Sequence, residues 1–90
     1  MAKETDPSEA AIRAKLLEFA EARADGATFC PSEVARALAT NWRPLMEDIR
    51  KVAAELVCRK QLACTQKGKI ADPLAARGPI RLSRPANNTS

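Results

Sequence analysis

The chain has 90 residues, enough for one small domain and too few for two. Apolar residues make up 46%, but much of that share is alanine and the aromatics are Phe19, Phe29 and Trp42, so the core must be thin and built from Leu, Ile and Val. The absence of histidine and tyrosine removes most of the usual acid-base repertoire, which argues against an enzyme.

Residues 1–5 read as a polar, flexible tail, with the domain itself expected over 6–84. Asp6 and Pro7 look like the opening of a first helix, with Glu9 three residues after the cap. Ile12, Leu16, Phe19 and Ala20 recur at helical spacing as its buried stripe, and Gly26 is expected to end it. Thr28-Phe29-Cys30 reads as a brief extended segment, able to pair as an edge strand beside a later hairpin. Pro31 suits the first position of a second, short helix. Glu33 lies near its positive end, and Val34, Ala35 and Leu38 form its apolar face.

A tight connection through Thr40-Asn41-Trp42 follows. Asn41 is placed to cap a third helix that tolerates Pro44 in its first turn and runs to Lys60. Leu45, Ile49, Val52, Ala53, Leu56 and Val57 point inward, and Glu47 with Lys51 and Glu55 with Arg59 stand in the favourable i, i+4 sense. Two helices joined so closely suggest helix-turn-helix.

Leu62 to Gln66 alternates as a half-buried strand, Lys67-Gly68-Lys69 turns it, and Pro79 to Leu82 reads as the returning strand. Ile80 and Leu82 face in and Arg81 faces out. Between the strands, Asp72-Pro73 can start a single helical turn through Leu74-Ala75-Ala76. Residues 85–90 are expected to be a flexible polar tail. The predicted fold is mainly α with a small β hairpin: a winged helix-turn-helix of three helices plus a wing.

Charge is distributed unevenly along this plan. Up to Thr40 five basic side chains face seven acidic ones, a net −2; from Asn41 onward ten face four, a net +6. A concentrated positive field attracts polyanions, because binding one releases condensed counterions. The cations expected to contact nucleic acid are Arg43, Arg50 and Lys51 on helix three and Lys67, Lys69, Arg77 and Arg81 on the hairpin. Arg43, Arg50 and Asn41 have side chains suited to base edges. Glu47 and Asp48 oppose this, since a carboxylate facing phosphates is repulsive. The opposing reading makes Arg43 and Arg50 partners of those carboxylates on a solvated face. Trp42 reads as a core anchor beneath the turn rather than as a stacking platform.

Other chemistry finds little support. No catalytic motif, GxxxxGK[ST] loop or GxGxxG turn is present, and no cofactor or small-molecule ligand can be identified. Cys30, Cys58 and Cys64 form no CxxC pair and read as small buried hydrophobes. No signal-like segment or bilayer-spanning run is seen, so a cytoplasmic, non-membrane protein is expected. The alternative to binding double-stranded DNA is a protein-interaction or dimerisation module of the same fold. Leu16, Leu17 and Phe19 cover two sides of helix one and hint at an apolar strip for a homodimer.

Four phrases carry a resemblance. Cys30-Pro31-Ser32-Glu33-Val34-Ala35-Arg36, Asn41-Trp42-Arg43, Thr65-Gln66-Lys67-Gly68 and Arg77-Gly78-Pro79-Ile80-Arg81-Leu82 resemble those of a bacterial domain-of-unknown-function family of small winged-helix proteins. The similarity spans about Ile12 to Leu82. It implies the fold and a bacterial cytosolic origin, and it carries over no functional residues.

Overall fold

A computed structural model describes residues 8–23 and 27–85. Helix α1 (Glu9–Ala22) begins at Ser8, whose Oγ accepts from the Ala11 N–H at 3.1 Å. The cap is therefore Ser8, an ordinary N-cap residue; Asp6 and Pro7, expected to open this helix, lie outside the described residues, as does Gly26. Ile12, Leu16 and Ala20 are its buried stripe. Phe19 is only partly buried, with its ring centroid 5.5 Å from that of Phe29.

Helix α2 (Pro31–Leu38) starts with proline in its first turn, where no intrahelical donor is lost. Glu33 Oε2 accepts from the Cys30 N–H at 3.2 Å, satisfying a backbone donor just ahead of the helix. Asn41 is not the cap of the next helix. A 3₁₀ turn, Arg43–Leu45, holds Pro44 and leads directly into α3 (Met46–Cys58). Proline lacks the donor that a helix interior needs, so the chain uses the tighter turn as a lead-in.

Helix α3 stops two residues short of the predicted Lys60. Lys60 adopts φ 63°, its N–H donates to Val57 O at 3.0 Å, and the Gln61 N–H donates to Leu56 O at 2.8 Å. That pair of reversed bonds is a Schellman closure with lysine in the left-handed position that glycine usually takes. Ile49, Val52, Ala53 and Leu56 face the core, with Val57 only partly buried.

Strand β1 (Ala63–Gln66) is the centre of a three-stranded antiparallel sheet in the order β2-β1-β3. The sequence led to one return strand; the structure has two. β2 (Lys69–Ile70) follows at once through Lys67 and Gly68, with φ 54° and 83°, and β3 (Arg81–Ser83) comes back along the other edge. Two consecutive positive φ values make the two-residue turn whose twist matches a tight hairpin, so β2 forms locally and is too short to leave a periodic signal. The expected edge segment is present as a bridge, Phe29 to Leu82, with hydrogen bonds of 2.8 and 2.7 Å.

The sheet closes the core from below the helices. Cys64 and Leu82 pair across β1 and β3 and are buried with Ile80, Phe29 and Leu62 against the helical stripes. Arg84, just beyond β3, reaches back to α1: its Nε donates to Ala20 O at 3.1 Å and an Nη to Glu21 O at 2.9 Å. It supplies donors to the last carbonyls of a helix that has no basic residue in its own last turn. Three helices with a small antiparallel sheet appended give a winged-helix-like arrangement, in agreement with the predicted fold class.

Candidate nucleic-acid interface

The seven predicted cations fall into different physical situations. Arg50 is the clearest departure. It is half-buried rather than on the solvent side of α3, and its guanidinium donates to Pro73 O at 3.1 Å, Ala76 O at 2.8 Å and Gly78 O at 2.6 Å. Those carbonyls belong to the segment between β2 and β3, which has no strand partner of its own. Unpaired carbonyls need donors, and a five-donor planar fork supplies three of them at once. Arg50 is therefore a strut for the wing.

The segment it supports is the predicted single turn. Ala75 and Ala76 N–H groups donate to Asp72 O at 3.1 and 2.8 Å, and Asp72 Oδ1 accepts from the Leu74 N–H at 2.9 Å. Asp72 thus caps its own turn, and Pro73 is buried beneath it. Beside the turn lies Cys64, whose thiol is pushed up by burial. It stays protonated and behaves as the small hydrophobe predicted. Cys58 is exposed and Cys30 half-buried at the start of α2, so that reading fails for those two.

Arg81 is exposed and faces out, as its neighbours' burial requires, and it braces the sheet edge: Nε donates to Thr28 Oγ1 at 2.8 Å and an Nη to Thr28 O at 3.3 Å. Lys67, Lys69 and Arg77 are exposed and, among the described residues, their charged ends have no ion pair or hydrogen bond. Lys67, Arg77 and Arg81 meet with Gln66 and Pro79 around a shallow open groove with no carboxylate in its lining. The groove wall is fixed by Gln66, whose amide donates to Arg77 O and, at 3.2 Å, to Pro79 O. Gly78 turns the chain there with φ 85°, a conformation that side chains rarely adopt.

On α3, Lys51 is exposed, and so are Glu47 and Asp48. The Glu47 to Lys51 pair is not an ion pair, and neither Arg43 nor Arg50 is bonded to Glu47 or Asp48; Glu55 to Arg59 does form, at 3.0 Å. Arg43 instead lies over the Trp42 ring, 4.7 Å from its centroid, and Arg36 lies 4.8 Å from the same centroid. Trp42 is half-buried, packed on the core by one part and carrying two guanidinium groups on the rest. Arg36 went unnoticed in the sequence because nothing in its spacing to Trp42, six residues on across a turn, marks a contact.

Among the described residues no three His, Cys, Asp or Glu side chains gather as a metal site, and no helix is long and apolar enough to cross a membrane. A family model for "Protein of unknown function (DUF3253)" matches residues 6–85. The chain belongs to this family. The four sequence phrases all lie within the matched span. A comparison with curated proteins finds no match. Membership of DUF3253 brings no substrate or partner with it.

Proposed function

We propose that this domain binds double-stranded DNA with little regard to sequence, chiefly through the wing, as a transcription-linked accessory protein of the bacterial cytoplasm. One observation carries the reading: Lys67, Lys69 and Arg77 are exposed without counter-charges, and Lys67 and Arg77 join Arg81 around a groove that has no carboxylate in its lining. Phosphate oxygens are the complementary chemistry, and each contact displaces a condensed counterion. Helix α3 contributes less, because its first turn carries Glu47 and Asp48 and its central arginine is committed to the wing. Base discrimination by Arg50 is not part of the proposal.

The test is a salt titration of duplex binding followed by fluorescence anisotropy. Replacing Lys67, Lys69 and Arg77 by Ala should weaken binding equally for unrelated sequences and lower the slope of log K against log salt by about 0.9 per cation removed. Including Arg81 in the set should deepen the loss. Unchanged affinity at low salt would sink the proposal.

A second reading, a protein-interaction module, is favoured by one feature of the same wing. Ile70 is 93% exposed and Leu74 57% exposed, two apolar side chains presented outward. The strip proposed on helix one does not serve it, since Leu16 is fully buried and Leu17 and Phe19 pack against the core. This reading predicts a stable dimer or partner complex with little salt dependence, which light scattering alongside the same titration distinguishes.

A further inference from the structure

Apart from the wing, a second cationic feature stands at the corner between α2 and α3. Arg36, in the last turn of α2, and Arg43, opening the 3₁₀ turn, both place their guanidinium carbons within 4.8 Å of the Trp42 ring centroid. Both arginines are exposed, and among the described residues neither has a carboxylate or carbonyl partner. The indole is itself fixed: part of it packs against the core, and the Trp42 carbonyl accepts from the Leu45 N–H at 2.9 Å.

Two like charges gathered on one ring repel, and the attraction of the ring for each cation holds them there. The stack also removes much of the rotamer freedom that a long side chain would otherwise lose on binding. A guanidinium lying on a ring still presents its edge donors to solvent, in a planar fork that matches phosphate oxygens. In helix-turn-helix proteins the elements flanking the turn run beside the duplex backbone.

We propose that Arg36 and Arg43, ordered on Trp42, form a phosphodiester clamp on the backbone of duplex DNA, separate from the wing. The clamp rests on the DNA-binding reading above and extends it to two contact points, the wing and the corner between α2 and α3.

Trp42 is the sole tryptophan in the chain, so its emission reports on the clamp alone. The full chain is titrated with a labelled duplex while duplex anisotropy and Trp42 fluorescence are recorded together. Both signals should follow one isotherm and reverse together on adding salt. The Arg36→Ala, Arg43→Ala double variant should bind more weakly, with a slope of log K against log salt lower by about 0.9 for each arginine. Arg36→Lys with Arg43→Lys should keep the slope and lose part of the affinity, since the charge remains without the fork.

If the duplex binds with Trp42 silent and the double variant retains the wild-type slope, the clamp is overturned while the wing reading stands. If no duplex binds at low salt, both fall. Should the double variant fail to fold, the wild-type fluorescence isotherm still decides.

Discussion

The helical half and the wing use their charges in opposite ways. Among the helices, acids and bases pair: Arg13 bridges Glu9 at 3.7 Å and Glu55 at 3.4 Å, Lys15 meets Glu18 at 3.0 Å, and Arg23 meets Glu33 at 2.8 Å. From α3 onward the arginines bond mainly to backbone. Arg50, Arg81 and Arg84 donate to carbonyls of the wing, the sheet edge and the end of α1. Partial charges on carbonyls do not cancel a guanidinium as a carboxylate would. The sheet half therefore stays positive while being well bonded, and Lys51, Lys67, Lys69 and Arg77 add charge with no structural duty. Fold maintenance and surface potential are assigned to different cations within one short stretch of chain.

The sharpest way to test that division is Arg50→Ala. Three charge-assisted bonds to otherwise unpaired carbonyls are lost, at a cost of about 2–3 kcal/mol in unfolding free energy. Urea unfolding should show it, and amide exchange should accelerate through residues 73–78. Preference among duplex sequences should not change, because the Arg50 guanidinium is bonded to the wing carbonyls; a variant of normal stability that lost sequence preference would return Arg50 to the interface.

Arg50 also shows where sequence reading stops. Its apolar neighbours Ile49, Val52 and Ala53 give the register of α3 correctly, and periodicity puts Arg50 toward solvent. A helix has a flank as well as an inside and an outside, and the wing folds onto that flank. Nothing local announces this, because the accepting carbonyls lie 23 to 28 residues downstream. By contrast Ile80, Arg81 and Leu82 were legible from alternation alone, and the Asp72-Pro73 turn from its own chemistry. β2 escaped because two residues cannot show a period. The unpaired lysines of the wing were legible as exposed cations, whereas the Arg36 contact with Trp42 depends on tertiary placement.

On the helical side of the comparison, Glu33→Gln should matter next. The Cys30 N–H, donating to the carboxylate, is the largest influence holding its pKa below the ordinary value; the Cys30 thiol and Arg23 act in the same direction, and partial burial opposes them. A depressed folded value means the stabilisation is full above the ordinary carboxylate range, near about 4.3. It is lost as pH falls through the lower, folded value. With the side chain 40% exposed, the expected cost at pH 7 is about 1 kcal/mol, closing toward zero in acid. Thermal unfolding across pH 3 to 7, on the order of that carboxylate range, checks it. A gap that did not narrow would remove the carboxylate charge from the capping role.

A mixed test follows from the acids on α3. Glu47→Gln with Asp48→Asn removes two exposed, unpaired carboxylates from the first turn of α3. Duplex affinity at low ionic strength should rise about fivefold, roughly 1 kcal/mol, and the gain should shrink as salt screens it. An unaltered affinity would place α3 well away from the duplex and leave the wing as the contact.

The smallest effect is expected at the hinge between the two regions. Lys60 holds φ 63° only to let the chain leave α3 and enter β1, and its side chain is exposed. A left-handed residue with a Cβ is strained, and the strain that Lys60→Gly relieves outweighs the extra chain freedom that glycine loses on folding. The balance should stabilise the fold by about 0.5 kcal/mol. Because Lys60 lies between the helices and the wing, the same variant removes a cation without disturbing either. If its stability rises while duplex affinity stays put, the positive charge that matters for binding lies away from this junction, on the wing itself and at the Trp42 corner.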